Sequence, residues 1–223
     1  MDKIEVTANL MGMYRGTFLQ NLYYRIFCVA TGITKMPRDV HILDCACGTG
    51  SLLYVLKNYG FHNIEGFDAA PEMVDIARKK VGHHVICCDA LDIETSFNGK
   101  KFDVIIVANF LHHLKDVVEW DMFLTGCAKL LNKGGQWINR EPCTDTSIQK
   151  FFKRLSQNKK SLLWRIPSLK VRAESWILEG AQMDYFKNNW EPNCYNILAK
   201  KGFSVTQRFR LIDSTIIKAV FCG

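Results

Sequence analysis

His41-Ile42-Leu43-Asp44-Cys45-Ala46-Cys47-Gly48-Thr49-Gly50, running into Ser51 to Tyr59, decides the fold. The first five residues make a short apolar run of the kind a buried strand needs. Leu52, Leu53, Val55 and Leu56 then recur at helical spacing. Between the two stands Gly48-Thr49-Gly50, where glycine lets the backbone turn tightly and approach a ligand with no Cβ in the way. The stretch reads strand, glycine turn, helix. In an open α/β sheet ligands bind beyond the carboxyl ends of the strands, near the point where strand order reverses, so this turn is a candidate binding edge. The turn alone does not name the ligand, because nucleotide and dinucleotide sites use similar ones.

The same alternation continues outward. Short strands are predicted over 63–67, 85–88, 102–107 and 136–139. Pro71 opens a helix, since proline is favoured at a first helical position, and Val117 to Leu131 reads as another that stops at Asn132-Lys133-Gly134-Gly135. Near-continuous apolar strands alternating with helices predict a parallel sheet covered on both faces. At the end, 202–211 alternates residue by residue, 212–215 looks like a turn and 216–221 runs back, which predicts an antiparallel pair.

Two segments stand outside the alternation. Residues 1–34 are aromatic-rich and helical in pattern, with Phe18, Leu22, Ile26 and Phe27 spaced for one face. Residues 143–190 hold seven aromatics and nine Lys/Arg against four acids, so they supply +5 of the chain's net +7. In that segment Ile148, Phe151, Phe152 and Leu155 share a helical face. A long insertion after a sheet strand is usually a lid or binding element. A solvated basic lid, an RNA-docking face and a surface for a membrane or an acidic substrate are the readings its charge allows.

The 223 residues suffice for one domain with a full core. We expect a single domain over 1–223, with 1–36 as an N-terminal helical cap and 143–190 as a helical lid or substrate insert. No apolar run reaches the roughly 18 residues of a membrane span, and Met1-Asp2-Lys3-Ile4-Glu5 lacks a secretory pattern, so a cytoplasmic location is expected. Nine cysteines without such a signal argue against a disulfide framework. Cys45-Ala46-Cys47 and Cys87-Cys88 lack the spacing of common zinc sites, so no metal is expected.

Acids at the later strand ends narrow the ligand. Asp68 ends the second strand, 24 residues after Asp44, where an acid can accept both ribose hydroxyls. Asp89 ends the third, where an acid could accept an adenine amino group. With these in place, the chain resembles the class I S-adenosylmethionine-dependent methyltransferases that act on small molecules. His41 to Gly50 resembles the family's first motif. Phe67-Asp68-Ala69-Ala70-Pro71-Glu72-Met73 to Arg78 resembles the second. Asp89-Ala90, then Phe102 to Asn109 with Leu111-His112-His113-Leu114, and finally Leu130 to Ile138 resemble the later ones.

The resemblance implies a Rossmann-like α/β fold: a seven-stranded mixed sheet, last strand antiparallel, with N-terminal helices and a helical insert before the last two strands. It implies S-adenosyl-L-methionine as cofactor and S-adenosyl-L-homocysteine as product. Asp44, Ala46, Cys47, Gly48 and Gly50 would hold the methionine part, Asp68 the ribose, and Asp89 with the Ala90 backbone the adenine. Asn109 would lie near the methyl group. Ala69 and Met73 of the second motif, and Tyr14 of the cap, join this set. The family often has glycine where Ala46 stands and Ser or Thr where Ala70 stands. Ala46 costs little unless its φ must be positive, and Ala70 forgoes a side-chain cap worth about 1 kcal/mol.

Bland readings stand beside these. Asp44 could merely cap its turn, Asp68 and Asp89 could be solvated strand-end acids, and Tyr23 and Tyr24 could be core. His112 and His113 come after the fourth strand and either could act as general base, or both could pack a helical turn. The expected function is methyl transfer from S-adenosylmethionine to a small-molecule acceptor by direct in-line displacement. An RNA- or protein-modifying methyltransferase docking through 143–190, and a catalytically inactive cofactor-binding partner subunit, are the alternatives. A small molecule is the expected partner, DNA is not, RNA is disfavoured, and a homodimer is left open. A nicotinamide dehydrogenase is disfavoured because the third glycine of the dinucleotide turn is missing.

Overall fold

The computed structural model describes residues 18–142, 154, 157, 158, 160, 162–165, 190–212 and 214–223. Tyr14 and nearly all of the expected lid therefore lie outside the described residues. Seven strands form one sheet: β1 Ile42–Cys45, β2 Ile64–Asp68, β3 Val85–Cys87, β4 Phe102–Ala108, β5 Leu131–Pro142, β6 Phe203–Leu211 and β7 Ser214–Phe221. The helices are α1 Phe18–Ala30, α2 Ser51–Asn58, α3 Pro71–Val81, α4 Ile93–Ser96, α5 Val117–Leu130 and α6 over 190–200.

Strand order is β3-β2-β1-β4-β5-β7-β6. Strands β1 to β5 pair in parallel, and β7 runs antiparallel to both β5 and β6. The chain winds outward from β1 to β3, then returns to lay β4 on the other side of β1. The reversal thus falls between β1 and β4, and their carboxyl ends border the crevice where such sheets take ligands.

Period-two alternation divides the core. On β4, Ile105 and Val107 join Leu43, Cys45, Trp120, Phe123 and Trp137 in one apolar cluster. Val104 and Ile106 join Ile42, Leu52, Leu56, Val74 and Phe27 in the other. Both faces of the central strands are therefore dry, as the apolar runs require. Eight cysteines among the described residues are free, and most are buried or part-buried within this packing.

Several boundaries differ from the sequence pattern. Helix α5 ends at Leu130, and Leu131, with φ −79° and ψ 143°, already begins β5. That strand runs on to Pro142, well past the expected 136–139. At the start of α5, Asp116 accepts from the N–H groups of Val118 and Glu119 and caps it. Helix α6 has no counterpart in the sequence reading, although Trp190, Cys194, Ile197 and Leu198, all buried, carry helical spacing. In α1 the expected face is corrected. Leu22 and Ile26 are exposed while Phe27 and Cys28 are fully buried. The helix docks instead through Gln20, Tyr23, Tyr24 and Phe27, whose polar tips find partners: Ser51 donates to Gln20, and Tyr23 donates to Ser214 Oγ at 3.3 Å. On β6, Phe203 packs with one cluster and Phe209 and Leu211 with the other, despite odd numbers throughout. The register shift between Val205 and Gln207 reverses which face odd residues take.

The turn after β1 has three left-handed residues, Ala46 at φ 52°, Gly48 at φ 53° and Gly50 at φ 71°. The condition under which Ala46 costs something is therefore met. A Cβ on Gly50 would lie 2.9 Å from Ala77 Cβ and 3.1 Å from its Cα, so this glycine also permits α2 and α3 to touch. Opposite substitutions should act oppositely. Ala46→Gly relieves about 1–2 kcal/mol of left-handed strain, partly offset by glycine's larger chain entropy, and should raise unfolding free energy in urea. Gly50→Ala adds both that strain and overpacking, and should lower it by about 2–4 kcal/mol. Loss of stability in Ala46→Gly, or none in Gly50→Ala, contradicts the account.

Candidate cofactor site and catalytic loop

Four chain segments converge at the carboxyl ends of β1, β2, β4 and β5. Asp44 is the third residue of β1 and is 2% exposed. Desolvation, and then the charge of Asp68, push its carboxyl well above the ordinary range. Beyond it, Cys47 N–H donates to Phe67 O at 2.8 Å, tying the glycine turn to β2.

Asp68 ends β2 and clasps two turns at once. Its Oδ2 accepts from Gly48 N–H at 2.8 Å and its Oδ1 from Ala70 N–H at 3.0 Å. Burial raises this carboxyl too, and the backbone donors of Ala70, Gly48 and Ala69 oppose the rise. Ala70 is the N-cap of α3 and supplies no side-chain cap, as its missing hydroxyl requires. Met73, one turn on, is 6% exposed and packs beneath the turn, while Ala69 is exposed above it. Asp89 accepts from Leu91 N–H at 2.8 Å and caps the 3-10 turn Ala90–Asp92; Asp89 is exposed and Ala90 buried. The structure thus brings Asp44, Ala46, Cys47, Gly48, Gly50, Asp68, Ala69 and Asn109 to one edge, with Asp89 and Ala90 beyond β3.

Asn109 comes directly after β4 at φ 58°, a conformation asparagine tolerates better than most residues. Its N–H donates to Arg140 O at 2.7 Å. The next residues form the 3-10 turn Leu111–His113. His112 is buried and His113 exposed, and their ring centroids lie 4.2 Å apart. Surrounding protein, then the His112 ring, push His113 down to about 4, and Glu141 pulls the other way.

The sequence reading missed Glu141. It is fully buried near the end of β5. Its Oε1 accepts from Phe110 N–H at 3.0 Å, Leu111 N–H at 2.8 Å and Asn139 Nδ2 at 3.3 Å. Its Oε2 lies 2.7 Å from His112 Nδ1. The available signal was the polar run Asn139-Arg140-Glu141 extending an otherwise apolar strand. On the opposite face of β5, Arg140 donates through Nε to Tyr23 Oη, and its guanidinium carbon sits 4.3 Å over that ring. Burial pushes the neighbouring Tyr24 phenol up to about 12, against the pull of Arg140. Tyr23 and Tyr24 are therefore packing residues that carry the cap onto the sheet next to Asp44. Among the described residues no group of three or more His, Cys, Asp or Glu side chains could hold a metal, and no helix is long and apolar enough to cross a membrane.

The depressed His113 value fixes a sign. Between about pH 6.5 and 4 the unfolded chain takes up a proton that the folded ring resists, so stability falls as pH falls through that window. The His113 ring should titrate near pH 4 by proton NMR, and His113→Gln should flatten the loss of stability there. The ring keeps an exposed edge but has protein around the rest of it, and a midpoint at or above 6.5 contradicts the desolvation by those neighbours.

A family model described as a methyltransferase domain matches residues 42–135. The chain is 31% identical over 107 residues to a ubiquinone biosynthesis O-methyltransferase of Bartonella tribocorum, covering 46% of this chain and 42% of that protein. It spans less than half the length of the curated relatives it matches. Its fold is similar to that of a magnesium protoporphyrin IX methyltransferase from Synechocystis solved with bound SAH, at TM-score 0.57, 19% identity and 94% coverage of both chains. It is similar again to an S-adenosylmethionine-dependent methyltransferase from Clostridium acetobutylicum, at TM-score 0.60, 13% identity and 93% coverage of both. Residues 42–135 thus match a methyltransferase domain, and the seven-stranded fold is shared with solved S-adenosylmethionine-dependent methyltransferases.

Proposed function

We propose that this protein transfers the methyl group of S-adenosylmethionine to a small-molecule acceptor by in-line displacement. The observation that carries this reading is the Asp68 clasp, which ties the end of β2 to the glycine turn of β1, the strand that borders the reversal. One carboxylate fixes the glycine turn of β1 and the helix start after β2, and so shapes a single cradle from both. The residues present fit the cofactor. A Cβ built on Gly48 meets nothing within 4 Å, so open space lies over the turn just where a ligand would rest. The names of the relatives, ubiquinone biosynthesis and magnesium protoporphyrin IX, support a small organic acceptor.

Bound there, S-adenosylmethionine supplies a methyl group already activated as a sulfonium. The chain's own work is then position, alignment and dryness. Asp68 would offer its remaining acceptor capacity to the ribose hydroxyls, and Asp89 with the Ala90 backbone would hold the adenine. Asp44, Ala46, Cys47, Gly48 and Gly50 would hold the methionine part, with Ala69 and Met73 of the second motif and Asn109 completing the set. The partly desolvated carboxylates of Asp44 and Asp68 favour a cationic ligand, which restores charge balance. Where the acceptor carries a proton, a base must take it. His113, held low, is a weak acceptor at neutral pH, which favours His112, seated on Glu141.

Calorimetric titration tests the reading. The protein should bind both S-adenosylmethionine and S-adenosylhomocysteine at micromolar levels. Asp68→Ala should weaken binding about 10- to 150-fold, the worth of about 1.5–3 kcal/mol for bonds to a charged group. Asp68→Asn, which keeps a carbonyl acceptor toward one turn, should lose less. No binding to the wild type, or unchanged affinity in Asp68→Ala, sinks the assignment.

A further inference from the structure

Glu141 has no place in the cofactor cradle, yet it makes more hydrogen bonds than any strand-end acid around it. It is fully buried, as is the His112 it touches, at 4% exposure. A buried carboxylate is costly unless its lone pairs are filled. Here Oε1 is filled by three N–H donors, from Phe110, Leu111 and the Asn139 amide. Those donors anchor the loop after β4, and a purely structural role would end there. The second oxygen goes further. Oε2 meets His112 Nδ1 at 2.7 Å, a length typical of a charge-assisted hydrogen bond. Three N–H donors on Oε1 favour the ionised carboxylate, which can only accept, so the shared hydrogen belongs to the imidazole. In neutral imidazole only one nitrogen carries hydrogen, so a proton held on Nδ1 leaves Nε2 with its lone pair.

We propose that Glu141 is a positioning residue that holds His112 as the Nδ1–H tautomer and so makes its Nε2 the proton acceptor of the loop after β4. The proposal rests on the reading of that loop as part of the methyl-transfer site. The hydrogen bond to Glu141 also prepares the ring to carry charge. Nε2 is enclosed by the protein, so an acceptor must displace what covers it; once a hydroxyl or amine proton passes to Nε2, the imidazolium that forms is already paired with a carboxylate on its far side. His113, its ring tilted against His112 with centroids 4.2 Å apart, feels Glu141 only at a distance, and the surrounding protein favours its neutral form. The geometry therefore points to acceptors that must lose a proton on methylation, and away from those that arrive as carboxylates or thiolates.

Glu141→Gln separates positioning from anchoring. The three N–H donors around Oε1 force the Gln oxygen into that place, so the loop keeps its anchor. The Gln amide then points its own N–H at Nδ1, which must become the acceptor, and the His112 proton moves to Nε2. Long-range proton–nitrogen correlation on the full ¹⁵N-labelled chain at pH 8 reads this directly. The wild type should show His112 with a pyrrole-like Nδ1 and a pyridine-like Nε2, and Glu141→Gln should exchange the two. Glu141→Asp, one methylene shorter, should restore the wild-type pattern in part. A wild-type His112 that carries hydrogen on Nε2, as the neutral ring or the imidazolium, overturns the proposal, even if the variants fail to fold. So does a folded Glu141→Gln with an unchanged pattern. S-adenosylmethionine titrated into the same samples keeps the two readings apart. Tautomer exchange without cofactor binding sinks the methyltransferase reading and leaves the positioning role, and binding without exchange does the reverse.

Discussion

A strand that is dry on both faces can present polar groups only where it ends. Strands β1 and β4 are in that position, with apolar clusters on either side, and the constraint propagates through the molecule. Asp44 and Asp68 stand at or next to the last residue of their strands, Asp89 just beyond β3 and Asn109 just beyond β4. Because β1, β2, β4 and β5 are parallel, those ends share one edge of the sheet. The site is thus a by-product of core packing: chemistry gathers where burial stops.

At that edge, backbone amides do much of the holding. Asp68 takes two N–H groups and Glu141 two more, so each acid ties a loop to its neighbour with bonds that an apolar residue could not replace. The same arrangement sets the charge of the cleft. Asp68 is desolvated but supported, whereas Asp44 is desolvated and also feels Asp68. Burial therefore disfavours the charged form of both acids, and most at Asp44. On the other side of β5, Arg140 lies under the Tyr23 ring, where the face of the aromatic stabilises the cation.

Much of this was legible in the residues. Apolar runs marked β1 and β4, alternation of strand and helix placed β2 between them, Pro71 marked the start of α3, and acids stood at consecutive strand ends. Three things were harder to read. The face of α1 was misjudged because Tyr and Gln, amphipathic residues, do the docking while Leu22 and Ile26 stay outside. The strain at Ala46 is a backbone torsion, invisible in a residue type that usually avoids it. Glu141 looked like an ordinary acid in a charged run, because its burial depends on a strand that continues four residues past its apolar part and on donors from a loop 30 residues earlier in sequence.

The course of β5 also bears on how such a protein could diversify. Its amino end joins α5 with no intervening residue, since Leu130 closes the helix and Leu131 opens the strand. Its carboxyl end is Pro142, one residue after the Glu141 anchor, and Trp190 is a core residue at the start of α6. The helix-to-strand junction at one end is fixed by packing, while the other end lies at the edge that holds the candidate site. Under the proposed function, sequence exchanged between Pro142 and Trp190 would change acceptor choice while β1, β2 and their turns stay as they are. Recognition of the acceptor and binding of the methyl donor would then be separately heritable parts of one chain.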